Sequence, residues 1–402
     1  MLPVDLLKEV ALSQRADLNT RTQGLERKEL EHFPVLKSHS LIISGIRRCG
    51  KSTLLVQLMK SRYPTAFYLN FEDPRLYGFT VEDFQKIDRL VKEGKHTELL
   101  FDEIQVVAGW ERYIRQKLDQ GNHQIVITGS NASLLSKELG TKLTGRHITK
   151  ELFPFSYGQF CAIKELPKSP ESTSDYLQKG GFPEYIKSEK TELLHQLFDD
   201  LLLRDITVRY GVRDFRSLQH LAMYLVSNVS KLVSGNNLRK TLEIKATSTV
   251  MEYFSHLEES WLFFFIPKFS YSKKKQLINP KKVYAIDTGL VSANSRSFSE
   301  DQGRKFENMV FLHFRKKYQE IYYFSDKQEC DFVLCDRNGP VSLVQVCVKL
   351  NPDNLNRELD GLWEAMMFFD KKESLLVTLS QEDEFYNAGR RVFVVPFHKL
   401  KD

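Results

Sequence analysis

Residues 45–52 read GIRRCGKS, and the apolar run Leu41-Ile42-Ile43-Ser44 leads straight into them. The stretch fits GxxxxGK[ST] at every fixed position: Gly45, Gly50, Lys51 and Ser52. A helical pattern from Ser52 to Lys60 follows. Strand, glycine-rich turn and helix are the context such a motif needs, because the turn's backbone N–H groups and the positive end of the helix then face the same phosphates. On this reading Gly45, Arg48, Cys49, Gly50, Lys51, Ser52 and Thr53 form the nucleotide cradle. Lys51 reaches the β- and γ-phosphates and Ser52 ligates Mg²⁺. Arg47 and Arg48 face either solvent or a phosphate.

Working outward, Glu98-Leu99-Leu100-Phe101-Asp102-Glu103 is an apolar run closed by two acids. Asp102 is expected to hold Mg²⁺, directly or through water, and Glu103 to orient and polarise an attacking water. Strand ends often carry solvated acids, but this one follows the glycine-rich turn by the spacing a second strand requires. A further strand candidate, Gln124–Thr128, runs into Gly129-Ser130-Asn131. Asn131 is either a γ-phosphate or water contact or a helix cap before Ala132–Leu135, and both roles stay open. With Ala66–Asn70 as another strand, short apolar strands alternate with helices, which predicts a parallel sheet covered on both faces.

The chain's 402 residues suggest two or three domains. Its net charge of +6 permits nucleic-acid contact without requiring it. Five cysteines, at 49, 161, 330, 335 and 347, form no CxxC pair, which fits a reduced, cytoplasmic protein with no cysteine-rich zinc site. The N-terminal stretch has no apolar core of signal-peptide length, and no segment reaches 18 consecutive apolar residues, so no membrane span is expected.

Several separated segments carry a resemblance. GIRRCGKST, LLFDEIQ, ITGSNASLL, LTGRHITKELFPFSYGQF and GGFPEY, followed by LLLRDITVRYGV, KVYAIDTGL, GRKFENMVFLHF and ECDFVL, together resemble a large prokaryotic group of AAA+-type ATPases. These carry a C-terminal domain of unknown function of the DUF4143 type, and the resemblance runs over about residues 20 to 400. It implies ATP binding, plausible hydrolysis with Mg²⁺, and a cytoplasmic setting. In such ATPases an arginine neutralises charge on the transferred phosphoryl group, often from a neighbouring subunit. Arg146 is the first candidate here and Arg204 the second; the plain alternative for each is a surface or salt-bridged arginine.

The expected architecture is α/β throughout: a P-loop ATPase domain at 1–165, a helical linker and winged-helix domain at 166–295, and an endonuclease-like α/β domain at 296–402. Lys164–Ser172 reads as a proline-marked linker and Glu192–Arg209 as one long helix. In the middle region, the helix Ser248–Glu259 and the strands Trp261–Ile266 and Lys282–Ile286 suggest a winged helix with Lys273–Lys275 at the hairpin tip. Those lysines, with Lys281 and Lys282, would attract the phosphates of double-stranded DNA; the alternatives are a protein-contact module or a solvated loop.

In the last region Glu307, Asp331 and Gln345 follow the order of a restriction-endonuclease-like metal site. Cys347 stands where that site has lysine. Lys349 is expected on the same strand face, ~6.6 Å further along. An active nuclease and a relic core both remain open. Three functional classes follow: an ATPase that rearranges its attached domains, an ATP-regulated nucleic-acid-binding protein or nuclease, and a nucleotide-gated scaffold for a protein partner. Glu103 favours the first over the third. A trans-acting arginine would require a homo-oligomer.

Overall fold

The computed structural model describes residues 1–27, 33–34, 36–135, 137–296 and 301–401. The chain divides into two compact units, 1–152 and 153–402.

The first unit runs α1 (Val4–Thr20), β1 (Ser40–Ser44), α2 (Lys51–Ser61), β2 (Phe67–Asn70), α3 (Phe84–Glu93), β3 (Glu98–Asp102), α4 (Trp110–Gln120), β4 (Gln124–Gly129), α5 (Lys137–Lys142) and β5 (His147–Glu151). Its five strands form one parallel sheet in the order β2-β3-β4-β1-β5. β1 and β4 are buried at every position, which is why both read as unbroken apolar runs and not as alternation. Parallel pairing puts the carboxyl ends of β1, β3 and β4 on one edge, where Ser44, Asp102 and Gly129 lie. In open α/β sheets that edge is where ligands bind.

α1 was not foreseen. It buries Leu7, Val10, Gln14 and Leu18 along one stripe, and Gln14 closes β2 by accepting from Asn70 N (2.8 Å) while donating to Asn70 O (3.1 Å). Phe84 of α3 stacks on Tyr113 of α4 with ring centroids 4.1 Å apart, filling the core on one face of the sheet.

The second unit opens with α6 (Tyr157–Lys164), α7 (Pro170–Lys179), α8 (Pro183–Ser188) and α9 (Glu192–Asp200). The expected linker is shorter than its composition suggested: Ser169 caps α7 by accepting from Ser172 N, and Pro170 takes the first helical position, where its missing N–H costs nothing. The expected long helix is α9 continued by a π-helical segment, Leu201–Val208, which contains Arg204. Then come α10 (Phe215–Val226), β6 (Leu232–Val233), α11 (Gly235–Thr241), α12 (Thr247–Glu259), β7 (Phe263–Pro267), α13 (Lys273–Ile278), β8 (Lys281–Ala285) and α14 (Thr288–Asn294). β6-β8-β7 is a small antiparallel sheet. Lys273–Lys275 sit not at a bare hairpin tip but in the short helix α13, where Ser272 accepts from Lys275 N.

The chain ends with α15 (Gln302–Arg315), β9 (Glu320–Ser325), β10 (Glu329–Asp336), β11 (Gly339–Val346), α16 (Leu355–Phe368), β12 (Glu373–Thr378), β13 (Asp383–Asn387) and β14 (Arg390–Pro396). Its mixed six-stranded sheet has the order β13-β14-β12-β11-β10-β9.

The segments GGFP and AIDTGL explain each other. Asp287 is fully buried and accepts from Gly181 N (2.6 Å) and Leu290 N (2.8 Å). Burial pushes its carboxyl up to about 6 against these hydrogen bonds. A Cβ on Gly181 would lie 2.2 Å from Phe155 O, and one on Gly289 2.1 Å from Lys179 O. These are rigid backbone atoms, so the glycines serve packing. Gly181→Ala should therefore lower the stability of this unit by roughly 2–4 kcal/mol, read as a shift in urea midpoint with unchanged slope.

Candidate nucleotide site and acid cluster

The glycine-rich turn joins β1 to α2. Gly50 adopts φ 106° at the helix start, a conformation that side-chain-bearing residues avoid. Gly45 is required for a different reason: a Cβ there would meet Leu152 O at 2.1 Å. Lys51 opens α2 and is buried, its Nζ donating to the carbonyls of Gly45 (3.0 Å) and Ile46 (3.2 Å) and lying 3.3 Å from Glu103 Oε1. Burial alone would lower the Lys51 ammonium, but the Glu103 charge and hydrogen bond, with Cys49 and Asp102, together outweigh it and raise it. The converse holds for Glu103: burial raises its carboxyl, and Lys51 with the Gln105 amide brings it below the usual range.

Asp102, at the end of β3, is fully buried and accepts from Tyr68 OH (3.0 Å), Thr128 Oγ1 and the Ser52 side chain. Its carboxyl is raised by burial and then by the neighbouring Glu103 charge. The Thr128 hydroxyl serves both acids, since it also accepts from Glu103 N (3.3 Å). Glu103 is held on its other side by Ser130 N (3.1 Å) and by Gln105 Nε2. Its φ of 53° is strained for a non-glycine residue and turns its side chain out of the strand's alternation toward the P-loop.

The structure thus brings together Gly45, Cys49, Gly50, Lys51, Ser52, Asp102, Glu103 and Asn131. Asn131 enters through its backbone, whose carbonyl accepts from Ser44 Oγ (2.8 Å) and from Leu134 N (3.2 Å), so it stands at the start of a short 3-10 turn beside the P-loop strand. Arg48 has φ 63° within the turn, and Arg47 pairs with Glu72 at 2.7 Å. Thr53 follows Ser52 in the first turn of α2.

Arg146 is not brought there. Its carbonyl accepts from Ser40 N, at the entry end of β1, about 13 Å of strand away from the P-loop. Its guanidinium pairs with Asp119 and donates to Thr144 Oγ1. Arg204 is exposed in the π-helical segment of the other unit.

Three residues that sequence reading missed belong to this site. Gln105 positions Glu103, and Thr128 bridges the two acids. Arg27 is 3% exposed and donates to Cys49 O (2.5 Å) behind the P-loop. Their only signals were position: two residues past Glu103, the end of a strand, and a basic residue upstream of the first strand.

The donor set fits Mg²⁺. A hydroxyl and a carboxylate, Ser52 and Asp102, are already hydrogen-bonded to each other at the open edge, and hard oxygen ligands suit that ion. A buried lysine whose partners are two carbonyls and one carboxylate is also poised to accept an anion.

The second cluster lies in the other unit. Glu307 on α15, Asp331 on β10 and Gln345 on β11 converge as the sequence order implied. Gln345 Oε1 accepts from Asp331 N (3.1 Å), and its Nε2 donates to Glu358 Oε2 (2.8 Å). Lys349 does not join them. β11 ends at Val346, so the alternation that placed Lys349 on the metal face stops before it. Lys282, expected among phosphate-attracting surface lysines, is instead buried, with Nζ 2.8 Å from Asp331 Oδ1, 3.1 Å from Glu307 Oε1 and 2.7 Å from Glu329 Oε1.

Residues 37–161 match the family model of an AAA domain, 170–301 a domain of unknown function (DUF8612), and 302–400 a domain of unknown function (DUF4143). The uncharacterized protein MJ1544 of Methanocaldococcus jannaschii is 30% identical over 390 residues, covering 89% of this chain and 87% of the relative. An uncharacterized protein of Haemophilus influenzae is 30% identical over 360 residues, covering 84% and 88%. Among solved structures, Aeropyrum pernix ORC1 in complex with DNA aligns at 12% identity and TM-score 0.32, covering 73% of this chain and 92% of that one. Saccharomyces cerevisiae Hsp104 in complex with casein aligns at 13% and 0.28, covering 67% and 58%. At scores this low neither likeness bears on the assignment.

The parallel sheet, the P-loop and the paired acids define a P-loop ATPase module of the AAA+ type. The chain belongs to the prokaryotic AAA+-type ATPases that carry a C-terminal DUF4143 domain. Among the described residues, no helix is long and apolar enough to cross a membrane.

Proposed function

We propose that residues 1–152 bind ATP with Mg²⁺ and hydrolyse it, and that the cycle rearranges the attached unit. The observation that carries this reading is the buried Lys51–Glu103 pair beside a Ser52–Asp102 hydrogen bond. Burying two charges is costly and seldom done for stability alone. In the proposed cycle Lys51 exchanges Glu103 for phosphate oxygens, and Glu103, still held by Gln105 and Ser130 N, becomes the acceptor that orients water. Ser52 and Asp102 would hold Mg²⁺, which when bound would supply positive charge to the phosphates. Because Arg146 lies at the far end of its own sheet, an arginine contribution from it would act on a second copy, which makes the working form an oligomer.

The chain order α10-β6-α11-α12-β7-α13-β8, in which the three strands form the β6-β8-β7 sheet, supports a winged-helix reading of the middle region, and three exposed lysines on α13 support an anionic partner such as double-stranded DNA. The test is steady-state ATP turnover with and without Mg²⁺ and with and without double-stranded DNA. Mg²⁺-dependent turnover is expected. Stimulation by DNA would make α13 part of the working machine, and indifference to DNA would point to a protein partner. ATP binding without turnover under every condition would replace the ATPase reading with a nucleotide-gated scaffold.

A further inference from the structure

We propose that the endonuclease-like acid cluster of the second unit is a cation site whose resident cation is the ammonium of Lys282, delivered from the neighbouring DUF8612-type region, so that the cluster works as a metal-independent lock between the two regions of unknown function.

The argument begins with strand alternation. Lys282 and Tyr284 are two apart on β8 and so share a face. Both reach Glu307 Oε1, Lys282 at 3.1 Å and the Tyr284 hydroxyl at 2.6 Å. Their placement is fixed by Asn308, the next residue on α15, which accepts from Ala285 N (2.7 Å) and donates to Ala285 O (2.9 Å), pairing with β8 as a neighbouring strand would. Lys282 Nζ then lies within 2.7–3.1 Å of three carboxylates on two elements, Glu307 on α15 and Glu329 and Asp331 on β10. An ammonium has three N–H donors, and three carboxylate oxygens are what it meets.

Asp331 and Gln345 are engaged further. Asp331 Oδ2 accepts from Val346 N (3.0 Å), and Gln345 spends its carbonyl on Asp331 N and its amide on Glu358. A divalent ion would have to displace the ammonium and break these bonds as well. Lys282 is 3% exposed, out of reach of a phosphodiester backbone. The lysine missing from position 347 is therefore not replaced by Lys349. A lysine from a different region of the chain occupies the cation position itself. This also explains why the two regions form one compact unit: the positive charge is on one side of the family boundary near residue 301 and the acids are on the other.

The test uses the full chain without nucleotide, at neutral pH, with Mn²⁺ as the probe, so its outcome is independent of whether the P-loop hydrolyses ATP. Bound Mn²⁺ is counted by electron paramagnetic resonance. In the wild type, no Mn²⁺ binding that Asp331→Asn abolishes is expected. Lys282→Met should lower the melting temperature of this unit by roughly 10 °C, since it leaves the buried Asp331 carboxylate without its cation. It should also gain one Mn²⁺ per chain, with recovery of melting temperature as the ion binds. Lys282→Met/Asp331→Asn should recover part of the loss without metal and gain no ion, which keeps the proposal open to test if the single variant folds poorly. Wild-type Mn²⁺ binding that Asp331→Asn removes would overturn the proposal. So would a folded Lys282→Met that keeps its wild-type melting temperature or takes up no Mn²⁺.

Discussion

Glu103→Gln is expected to reduce ATP turnover by about 10²–10⁴-fold, the range that a positioned acid–base group contributes, while ATP still binds. The substitution keeps the side chain's size and lets its carbonyl oxygen accept from Ser130 N, so the geometry set by φ 53° and Thr128 persists. What is lost is the carboxylate's charge. Two consequences can be measured separately. Turnover falls, and single-turnover rates fall with it, placing the effect on chemistry and not on release. Meanwhile Lys51 loses its carboxylate partner in the empty site, so the anion that takes its place is bound no less firmly than in the wild type. A nucleotide-induced rise in melting temperature should therefore survive, reaching about 2.7 kcal/mol at a ligand concentration 100 times the dissociation constant. Loss of ATP binding together with turnover would instead mean that Glu103 builds the pocket.

Lys51→Ala should do the opposite, removing nucleotide binding and destabilising the unbound protein. Lys51 and Glu103 are both buried, and breaking a buried pair by deleting one partner typically costs about 3–5 kcal/mol because the other charge is left behind. The sign with pH follows from Glu103. In the wild type its folded carboxyl is held below the usual range, so it contributes stability that is present above the ordinary carboxylate range and is lost as pH falls through the lowered value. Without Lys51, burial dominates and the carboxyl rises. Lys51→Ala should then be most destabilised at neutral pH and approach the wild type in acid. Lys51→Ala/Glu103→Gln should recover a large part of the loss at neutral pH without recovering ATP binding. A double variant no more stable than Lys51→Ala would show that the pair is not coupled.

The nucleotide site was largely legible because its parts are local. A strand, a turn and a helix start are contiguous in GIRRCGKS, and the acids close an apolar run of the kind that a buried parallel strand produces. Thr128 and Arg27 were not legible, since each acts through a contact that tertiary packing creates; Gln105 is local, but its amide meets Glu103 only in the turn where Glu103 takes φ 53°. Thr128 lies 25 positions from Glu103, and Arg27 lies 22 from Cys49. The proline-marked segment misled in a definable way. Ser169-Pro170 looks like a linker by composition, but a capping serine followed by proline is equally a helix start. α1 was overlooked because its apolar stripe is interrupted by Gln14, a polar residue that is buried only because β2 gives it hydrogen-bond partners.

By itself the sequence determined the class of the first unit, the set Lys51, Ser52, Asp102 and Glu103 that meets at one end of its sheet, and the order of the later acids. Periodicity and short-range spacing record those directly. Tertiary structure alone decided where each cation went. Arg146 lies at the wrong end of the sheet for its own P-loop, because the chain enters β5 at the edge opposite to where it leaves β1. Lys349 misses the acid cluster because β11 stops at Val346. Lys282 reaches that cluster from another region because Asn308 pairs α15 with β8. A lysine's charge is the same wherever it stands in the sequence, and only the packing of the backbone around it decides which carboxylates it meets.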